Sequence, residues 1–330
     1  MNFFRKIIGI FSPTKLLSKI KNCGLSIKNY ITSFISHFDI IREANISLGK
    51  FHLQNGNFKD ATIRFWITNK LFAPNDPENL YWGGWADILQ KKYGSAAEKL
   101  KDNSHDQIGL YNYITGFESA KIIPEKIYEE YESLSKAFAI KKFYNDKINL
   151  FDIFVEKLSA YLPKSNWDNT KGKYTLLEIA SYPFMIEEIS KHLPEPNLID
   201  TVNFSQEPTK NAKNYNEKVK IYHEIMIESK SNFLAELSKK YDTIISFGSL
   251  AYQHDLKNNF KTIKNLLADD GIFAFIIPKG NKTELVPSEN YYTYNENYVR
   301  ENLKLADFEL VSINTIVISK DYEFFVIVTK

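Results

Sequence analysis

The stretch DTIISFG–SLAYQHDLKNNFKTIKNLLADD–GIFAFII, residues 242–277, combines two kinds of periodicity. The apolar runs at its two ends, 242–248 and 272–277, have the length of buried strands. Between them, apolar residues recur at helical spacing from Asp255 to Asp270. A strand, a helix and a second strand in this order predict two parallel strands joined by a crossover helix.

The same alternation extends over residues 170–330. Three further apolar runs precede the first stretch: YTLLEIA (174–180), NLIDTVNF (197–204) and VKIYHEI (219–225). Two more runs, FELVSINTIVIS (308–319) and YEFFVIVT (322–329), are separated by too few residues for a crossover helix, so they predict an antiparallel hairpin. We therefore expect an α/β domain with a seven-stranded, mostly parallel sheet whose last strand is antiparallel.

The first half of the chain is predicted to be helical. In LGKFHLQNGNFKDATIRFWITNKLFAP (48–74), small and aromatic residues recur at set intervals: Leu48, Gly49, Gly56, Phe58, Ala61, Phe65 and Pro74. Gly49 and Ala61 let two antiparallel helices approach closely, and Gly56 suits a turn that needs a positive φ. This stretch resembles a tetratricopeptide repeat, a helix–turn–helix unit of about 34 residues.

A weaker second unit follows in YWGGWADILQKKYGSAAEKL (81–100), with Gly84, Tyr93, Ala96 and Leu100 at comparable intervals. Helical repeats bind peptides or extended segments in a concave groove, so a protein partner is one expectation. Two units are fewer than the three or so that such arrays usually need, and a structural collar on the next domain is the other expectation.

The charge of the chain is unevenly distributed. Residues 1–38 contain six basic residues and no Asp or Glu: Arg5, Lys6, Lys15, Lys19, Lys21 and Lys28. Apolar residues between them have helical spacing, which suits either an amphipathic segment on an anionic membrane or a leading helix packed on the body. The remaining chain has 42 − 6 = 36 basic and 40 acidic residues, so a dedicated nucleic-acid binder is not expected.

Composition removes several classes of site. One cysteine, Cys23, excludes an internal disulfide and a cysteine-built zinc site, and it favours a reducing, cytoplasmic location. No two of the six histidines stand at i, i+4 on a predicted helix, so no metal site is expected.

The resulting organisation is a basic leader (1–38), a repeat module (39–104), a helical connector (105–169) and the α/β domain (170–330).

The α/β domain resembles the class I S-adenosylmethionine-dependent methyltransferases, and more specifically bacterial members fused to tetratricopeptide repeats. The resemblance rests on LADDGIFAF, in which Gly271 would close the helix before the fifth strand, on ISFGSLAYQHDL, and on residues 286–312. It implies S-adenosylmethionine as cofactor, bound by these positions: Glu178, Ala180, Tyr182, Asn203, Phe204, Ser229 and Phe247. It also implies that Tyr252 or His254, after the fourth strand, contacts the substrate or acts as a general base; for His254 the alternative is a residue that caps the next helix.

The cofactor positions depart from the family pattern. Ala180, Tyr182 and Phe184 stand where the family has glycines, and Asn203 stands where a carboxylate accepts the ribose hydroxyls. Ser229 stands at the position of an adenine-contacting acid. We therefore expect a methyltransferase-like protein whose activity is weakened or lost, and the alternative is a non-catalytic interaction protein with a degenerate site. Large aromatic side chains at 182 and 184 predict obstruction of the cofactor's methionyl end.

Overall fold

The computed structural model describes residues 27–117, 123–145, 148–161, 175–179, 198–203, 219–223, 239–320 and 322–330. Helices in these ranges are α1 (Ile27–Gln54), α2 (Phe58–Ile67, continued by a π-helical turn Thr68–Phe72), α3 (Pro77–Leu89), α4 (Tyr93–Leu100), α5 (Leu110–Gly116), α6 (Glu125–Phe143), α7 (Leu150–Ser159), α8 (Leu256–Leu266) and α9 (Glu296–Leu305). None of the helices in the described part is long and apolar enough to cross a membrane.

Two helix–turn–helix pairs, α1 with α2 and α3 with α4, form where the small residues predict them. A Cβ atom on Gly49 would lie 2.5 Å from the Phe65 ring, so the glycine allows that ring to approach α1 closely. A Cβ atom on Gly84 would lie 2.8 Å from Leu100 for the same reason. Gly56 has a φ of 75° in the turn between α1 and α2, as the sequence predicts.

The strands are β1 (Tyr144–Asn145), β2 (Ile148–Asn149), β3 (Thr175–Ile179), β4 (Leu198–Asn203), β5 (Val219–His223), β6 (Tyr241–Phe247), β7 (Leu267–Pro278), β8 (Glu284–Val286), β9 (Tyr291–Thr293), β10 (Leu310–Ser319) and β11 (Tyr322–Thr329). β1 with β2 and β8 with β9 form two small antiparallel pairs. Neither small pair was predicted, and β1 and β2 lie in the connector that the sequence predicts to be helical.

The main sheet has seven strands in the order β10-β11-β7-β6-β3-β4-β5. β5, β4, β3, β6 and β7 pair in parallel, and β11 pairs antiparallel with both β7 and β10. Six strands therefore share one direction and β11 alone opposes them. This is the mixed α/β, mostly parallel architecture that the sequence predicts, with the final hairpin placed at one edge.

The prediction for Gly271 was wrong. Helix α8 ends at Leu266 with Leu267 as its C-cap, and Gly271 lies inside β7. The register between β6 and β7 is irregular there, because Tyr241 pairs with Leu267 and Thr243 pairs with Ile272. Gly271 meets a steric need instead, since a Cβ atom on it would lie 2.8 Å from Leu267.

Apolar residues cover both faces of the sheet. On one face, α7 packs Phe151, Phe154 and neighbouring residues against the strands. On the other face, α8 and α9 share one continuous cluster of buried residues with the helical module. The loop between β8 and β9 contacts α5 of the connector directly, since the Tyr113 hydroxyl donates to Asn290 Oδ1 at 2.9 Å.

Candidate functional site

The strand order creates a topological switch point between β3 and β6. The chain that leaves β3 returns in β4 on one side, whereas the chain that leaves β6 returns in β7 on the other side. Because the two connections diverge, a crevice opens beyond the carboxyl ends of these two strands. In open α/β sheets this crevice is where ligands bind, so the residues that end β3 and β6 define the candidate site.

A buried serine pair joins the two strand ends. The Ser249 hydroxyl donates to the Ile179 carbonyl at 2.8 Å, and the Ser246 and Ser249 hydroxyl oxygens are 2.5 Å apart. Since Ser249 uses its proton on Ile179, Ser246 is the donor to Ser249. This arrangement fixes the end of β3 against the short 3₁₀ helix Ser249–Tyr252.

Gly248 stands at the mouth of the crevice. Its φ of 86° is in the left-handed region, which glycine adopts without strain. Among the described residues, no atom outside its immediate neighbours lies within 4 Å of a Cβ built on it, so within that part of the chain the space beside its backbone is open. The sequence reasoning missed Gly248, Ser246 and Ser249, although a glycine directly after a buried strand was the available signal.

The side chain of Glu178, one of the predicted cofactor residues, lies near this edge and is fully buried. It precedes the last residue of β3, and the Thr201 hydroxyl of β4 donates to its carboxylate. Glu178 is thus a buried carboxyl group one residue from the carboxyl end of β3, held by a hydroxyl donor from β4.

Asp200 is also buried, but its partners lie at the opposite edge of the sheet. The Tyr241 hydroxyl, at the start of β6, donates to its Oδ2 atom at 2.6 Å, and Lys239 Nζ is 3.2 Å from the same oxygen. Asp200 is therefore committed to the amino-terminal end of β6. It does not replace the ribose-binding carboxylate that Asn203 lacks.

Phe247 ends β6, but its ring is part of the core. It packs edge-on against Phe151 and Phe154 of α7, with ring centroids 5.8 and 5.6 Å away. The structure therefore places this ring on the α7 face of the sheet.

Tyr252 and His254 follow β6 and pack among aromatic residues. The Tyr252 ring meets Tyr128 of α6 at 4.9 Å, and the His254 ring lies 5.6 Å from Tyr292. His254 remains partly exposed. It does not cap α8, because Asp255 does: the Asp255 side chain accepts a hydrogen bond from Lys257 N.

A group of largely buried tyrosines lies on α5, α6 and the segment around β9. Burial raises the pKa of each of these phenols above its ordinary value: Tyr113, Tyr131, Tyr291, Tyr292 and Tyr294. They remain neutral hydrogen-bond donors, as the Tyr294 hydroxyl shows by donating to the Leu250 carbonyl at 2.6 Å. This bond holds the loop after β6 in place from the side of β9.

The remaining predicted cofactor residues cannot be placed. Ala180, Tyr182, Phe184, Phe204 and Ser229 lie outside the described residues, as does the predicted obstruction at 182 and 184. For Asn203, only the backbone is described, at the carboxyl end of β4. No group of three or more His, Cys, Asp or Glu side chains that could hold a metal ion occurs within the described part of the chain.

The sequence matches no family model and no curated protein. Solved structures match in fold. One is 1,6-didemethyltoxoflavin-N1-methyltransferase from Burkholderia thailandensis, solved with 1,6-didemethyltoxoflavin and S-adenosylhomocysteine: 15% identity over 62% of this chain and 86% of that chain, TM-score 0.47. Another is an S-adenosylmethionine-dependent methyltransferase from Clostridium acetobutylicum: 19% identity over 62% of this chain and 97% of that chain, TM-score 0.42.

A third solved structure is an S-adenosylmethionine-dependent methyltransferase from Mesorhizobium loti, with 12% identity over 54% of this chain and 99% of that chain and a TM-score of 0.40. These likenesses concern overall fold. The proposals below rest on the described residues and on the sequence.

Proposed function

We propose that this chain is an S-adenosylmethionine-dependent methyltransferase-like protein whose cofactor lies across the switch point between β3 and β6. The observation that carries the proposal is the combination of the open backbone at Gly248 with the buried carboxylate of Glu178 at that switch point. An elongated ligand can approach the glycine backbone closely, and the carboxylate favours a cationic group above it.

The described residues fit this cofactor in part. S-adenosylmethionine carries a sulfonium and an ammonium group, both cationic, and it supplies a methyl group that is already activated for transfer. Gly248 leaves space for it, and Glu178 supplies the opposite charge. Asn203 offers an amide oxygen to a ribose hydroxyl but no charge, and a hydrogen bond to a charged group contributes about 1.5–3 kcal/mol.

The role of the protein in such a transfer is mostly positioning. Aligning a nucleophile with an activated methyl group removes much of the entropic barrier, so no strong acid or base is required. His254 is our candidate for the group that takes up a proton from the acceptor; its partial exposure and its position after the carboxyl end of β6 support this role. Tyr292 and Tyr298 pack against its ring and restrict its orientation.

Calorimetric titration with S-adenosylmethionine and S-adenosylhomocysteine tests the proposal. We expect binding weaker than micromolar, because Asn203 lacks the charge of a carboxylate and large aromatic residues stand at 182 and 184, and Glu178→Gln should weaken it about tenfold further or more. Asp200→Asn is the matched control, because Asp200 is as deeply buried in the neighbouring strand but faces the opposite edge; it should leave the affinity unchanged. Equal losses in the two variants, or no loss in either, would contradict the role given to Glu178.

The second proposal is a non-catalytic interaction protein, favoured by the departures at Ala180, Tyr182, Phe184 and Asn203. It predicts no binding of either ligand at millimolar concentration. The combined change Ala180→Gly, Tyr182→Gly, Phe184→Gly and Asn203→Asp then shows whether the loss is local. Restored binding would indicate a decayed methyltransferase site, and continued absence in a folded variant would favour the interaction protein.

The helical module supports a partner in either proposal. We propose that α1–α4 are two tetratricopeptide-like units, supported by the packing of Phe65 on Gly49 and of Leu100 on Gly84.

The basic leader has a separate proposed role. We propose that residues 1–38 bind peripherally to anionic vesicles, with about 1 kcal/mol of binding energy per basic residue, and that salt weakens this binding. Equal flotation of the full chain and of residues 39–330 would exclude the membrane role.

A further inference from the structure

One face of α1 is apolar, uncharged and exposed. On the described part of this face, Ile40, Ile41, Leu48 and Phe51 are 62%, 42%, 43% and 58% exposed. Large apolar side chains that recur on one helix face are normally buried, and a contiguous exposed patch of this kind marks an interaction surface. The opposite side of the helix packs on α2 and α3 through Ile46, Gly49 and Leu53, and α1 also contacts α6.

The exposed residues follow a heptad repeat that runs the length of the helix. α1 has 28 residues, or four heptads, and spans roughly 42 Å. In one register, the a and d positions are Ile27, Tyr30, Phe34, His37, Ile41, Ala44, Leu48 and Phe51. An a/d repeat sustained over three to four heptads is the pattern of a helix that pairs with another helix along a seam.

The charged residues of α1 avoid this seam. All five of them, Lys28, Asp39, Arg42, Glu43 and Lys50, fall at b, c or f positions, and no a, d, e or g position carries a charge. Arg42 forms an ion pair with Asp76, the N-cap residue of α3, and Lys50 forms one with Glu78 in the first turn of α3. Two copies of the same uncharged face can therefore meet without like-charge repulsion, which is what a symmetric contact requires.

We propose that the a/d seam of α1 is the interface of a homodimer, and that its occupant is α1 of a second copy of this chain. A stable dimer buries about 800 Å² on each partner, and four half-exposed large side chains supply roughly 350 Å² of it. In the sequence, the a/d positions Ile27, Tyr30 and Phe34 continue the same repeat toward the start of α1. Asp39 and Glu43 flank this face and disfavour an anionic membrane on it, whereas five of the six basic residues of the leader precede α1.

Sedimentation equilibrium of the full chain is the first test. We expect a dimer above about 10 µM, and a monomer when Leu48→Glu and Phe51→Glu place charges on the seam. The matched control is Ile63→Glu with Trp66→Glu on α2, because these side chains are 53% and 57% exposed and lie outside the seam. A monomeric wild-type chain at all concentrations would overturn the proposal, and so would equal dissociation in the two double variants.

A second measurement does not depend on introducing charge. In Cys23→Ser protein with Leu48→Cys, the new thiol should react with a maleimide at least about tenfold more slowly in concentrated than in dilute protein. Protection that does not change with concentration would mean that the seam is covered within one chain, and fast reaction at every concentration would mean that it is free. Either result would overturn the homodimer.

Discussion

The helical half of the molecule, α1 to α7, and the sheet half, β3 to β11, are stabilised by different kinds of contact. In the helical half, large side chains pack directly on glycines: Phe65 packs on Gly49, and Leu100 packs on Gly84. In the sheet half, buried polar groups from separate elements form hydrogen bonds with each other: Tyr241 of β6 donates to Asp200 of β4, and Ser249 of the 3₁₀ helix donates to the Ile179 carbonyl of β3. The packing contacts of the helical half depend on the shapes of the side chains, and the buried hydrogen bonds of the sheet half depend on having both a donor and an acceptor. Different kinds of substitution should therefore lower the stability of each half.

The largest effect is expected at Asp200. Replacing Asp200 with alanine leaves the Tyr241 hydroxyl buried without its acceptor and removes the counter-charge of Lys239, and it should cost about 3 kcal/mol. Urea denaturation measures this loss. Asp242→Ala is the control, because Asp242 accepts two hydrogen bonds from Thr175 on the sheet surface, where water can replace it. Similar losses at both positions would show that burial is not what makes Asp200 important.

Gly49→Ala should cost about 1–3 kcal/mol, because the added methyl group would overlap the Phe65 ring. Gly94, in α4, has nothing within 4 Å of a built Cβ, so Gly94→Ala should stabilise the protein by about 0.5 kcal/mol through helix propensity. Thermal unfolding of both variants compares the two glycines. If Gly49→Ala stabilised the protein as well, the close approach of α1 and α2 would not depend on shape.

At the switch point, Ser249→Ala should cost about 1–2 kcal/mol, since it removes the bond to the Ile179 carbonyl and the acceptor of Ser246. Ser246→Ala removes only the outer bond of the pair and should cost less than half as much. Denaturant midpoints of the two variants give the order. The reverse order would mean that Ser246, rather than Ser249, links β3 to β6.

The smallest effect concerns Glu130, a partly buried carboxyl group in the helical half. Burial raises its pKa above the ordinary value of 4.5, although Tyr81 beside it acts in the opposite direction. The stability that it contributes is therefore fully present below pH 4.5 and is lost as pH rises through the raised pKa. The free energy of unfolding of Glu130→Gln should equal that of wild type near pH 4. At pH 8 it should be higher than that of wild type, by less than about 1 kcal/mol.

Unfolding curves at the two pH values test this prediction, with the exposed neighbour Glu129→Gln as control. The same pH dependence in both variants would show that net charge, rather than burial at Glu130, causes the difference.

Local pattern was sufficient for most of the fold. The apolar runs at 242–248 and 322–329 became β6 and β11 with shifts of at most one residue, because a buried strand needs an unbroken apolar segment. The turn glycine Gly56 was equally readable, since its positive φ is a local requirement. Gly271 shows the limit: the same residue type served close packing against Leu267 inside β7 instead of ending α8.

The site was less predictable from the sequence. Glu178 could be found because its place at the end of a strand is a local property. The serine pair could not be found from the sequence, because Ser249 and Ile179 are 70 residues apart and come into contact only when β3 and β6 lie side by side in the sheet. The sequence alone thus determined which segments are helices and strands and which face of each is apolar. The tertiary structure alone decided which buried polar groups complete each other, because a hydrogen bond depends on positions that distant strands acquire only when the sheet assembles.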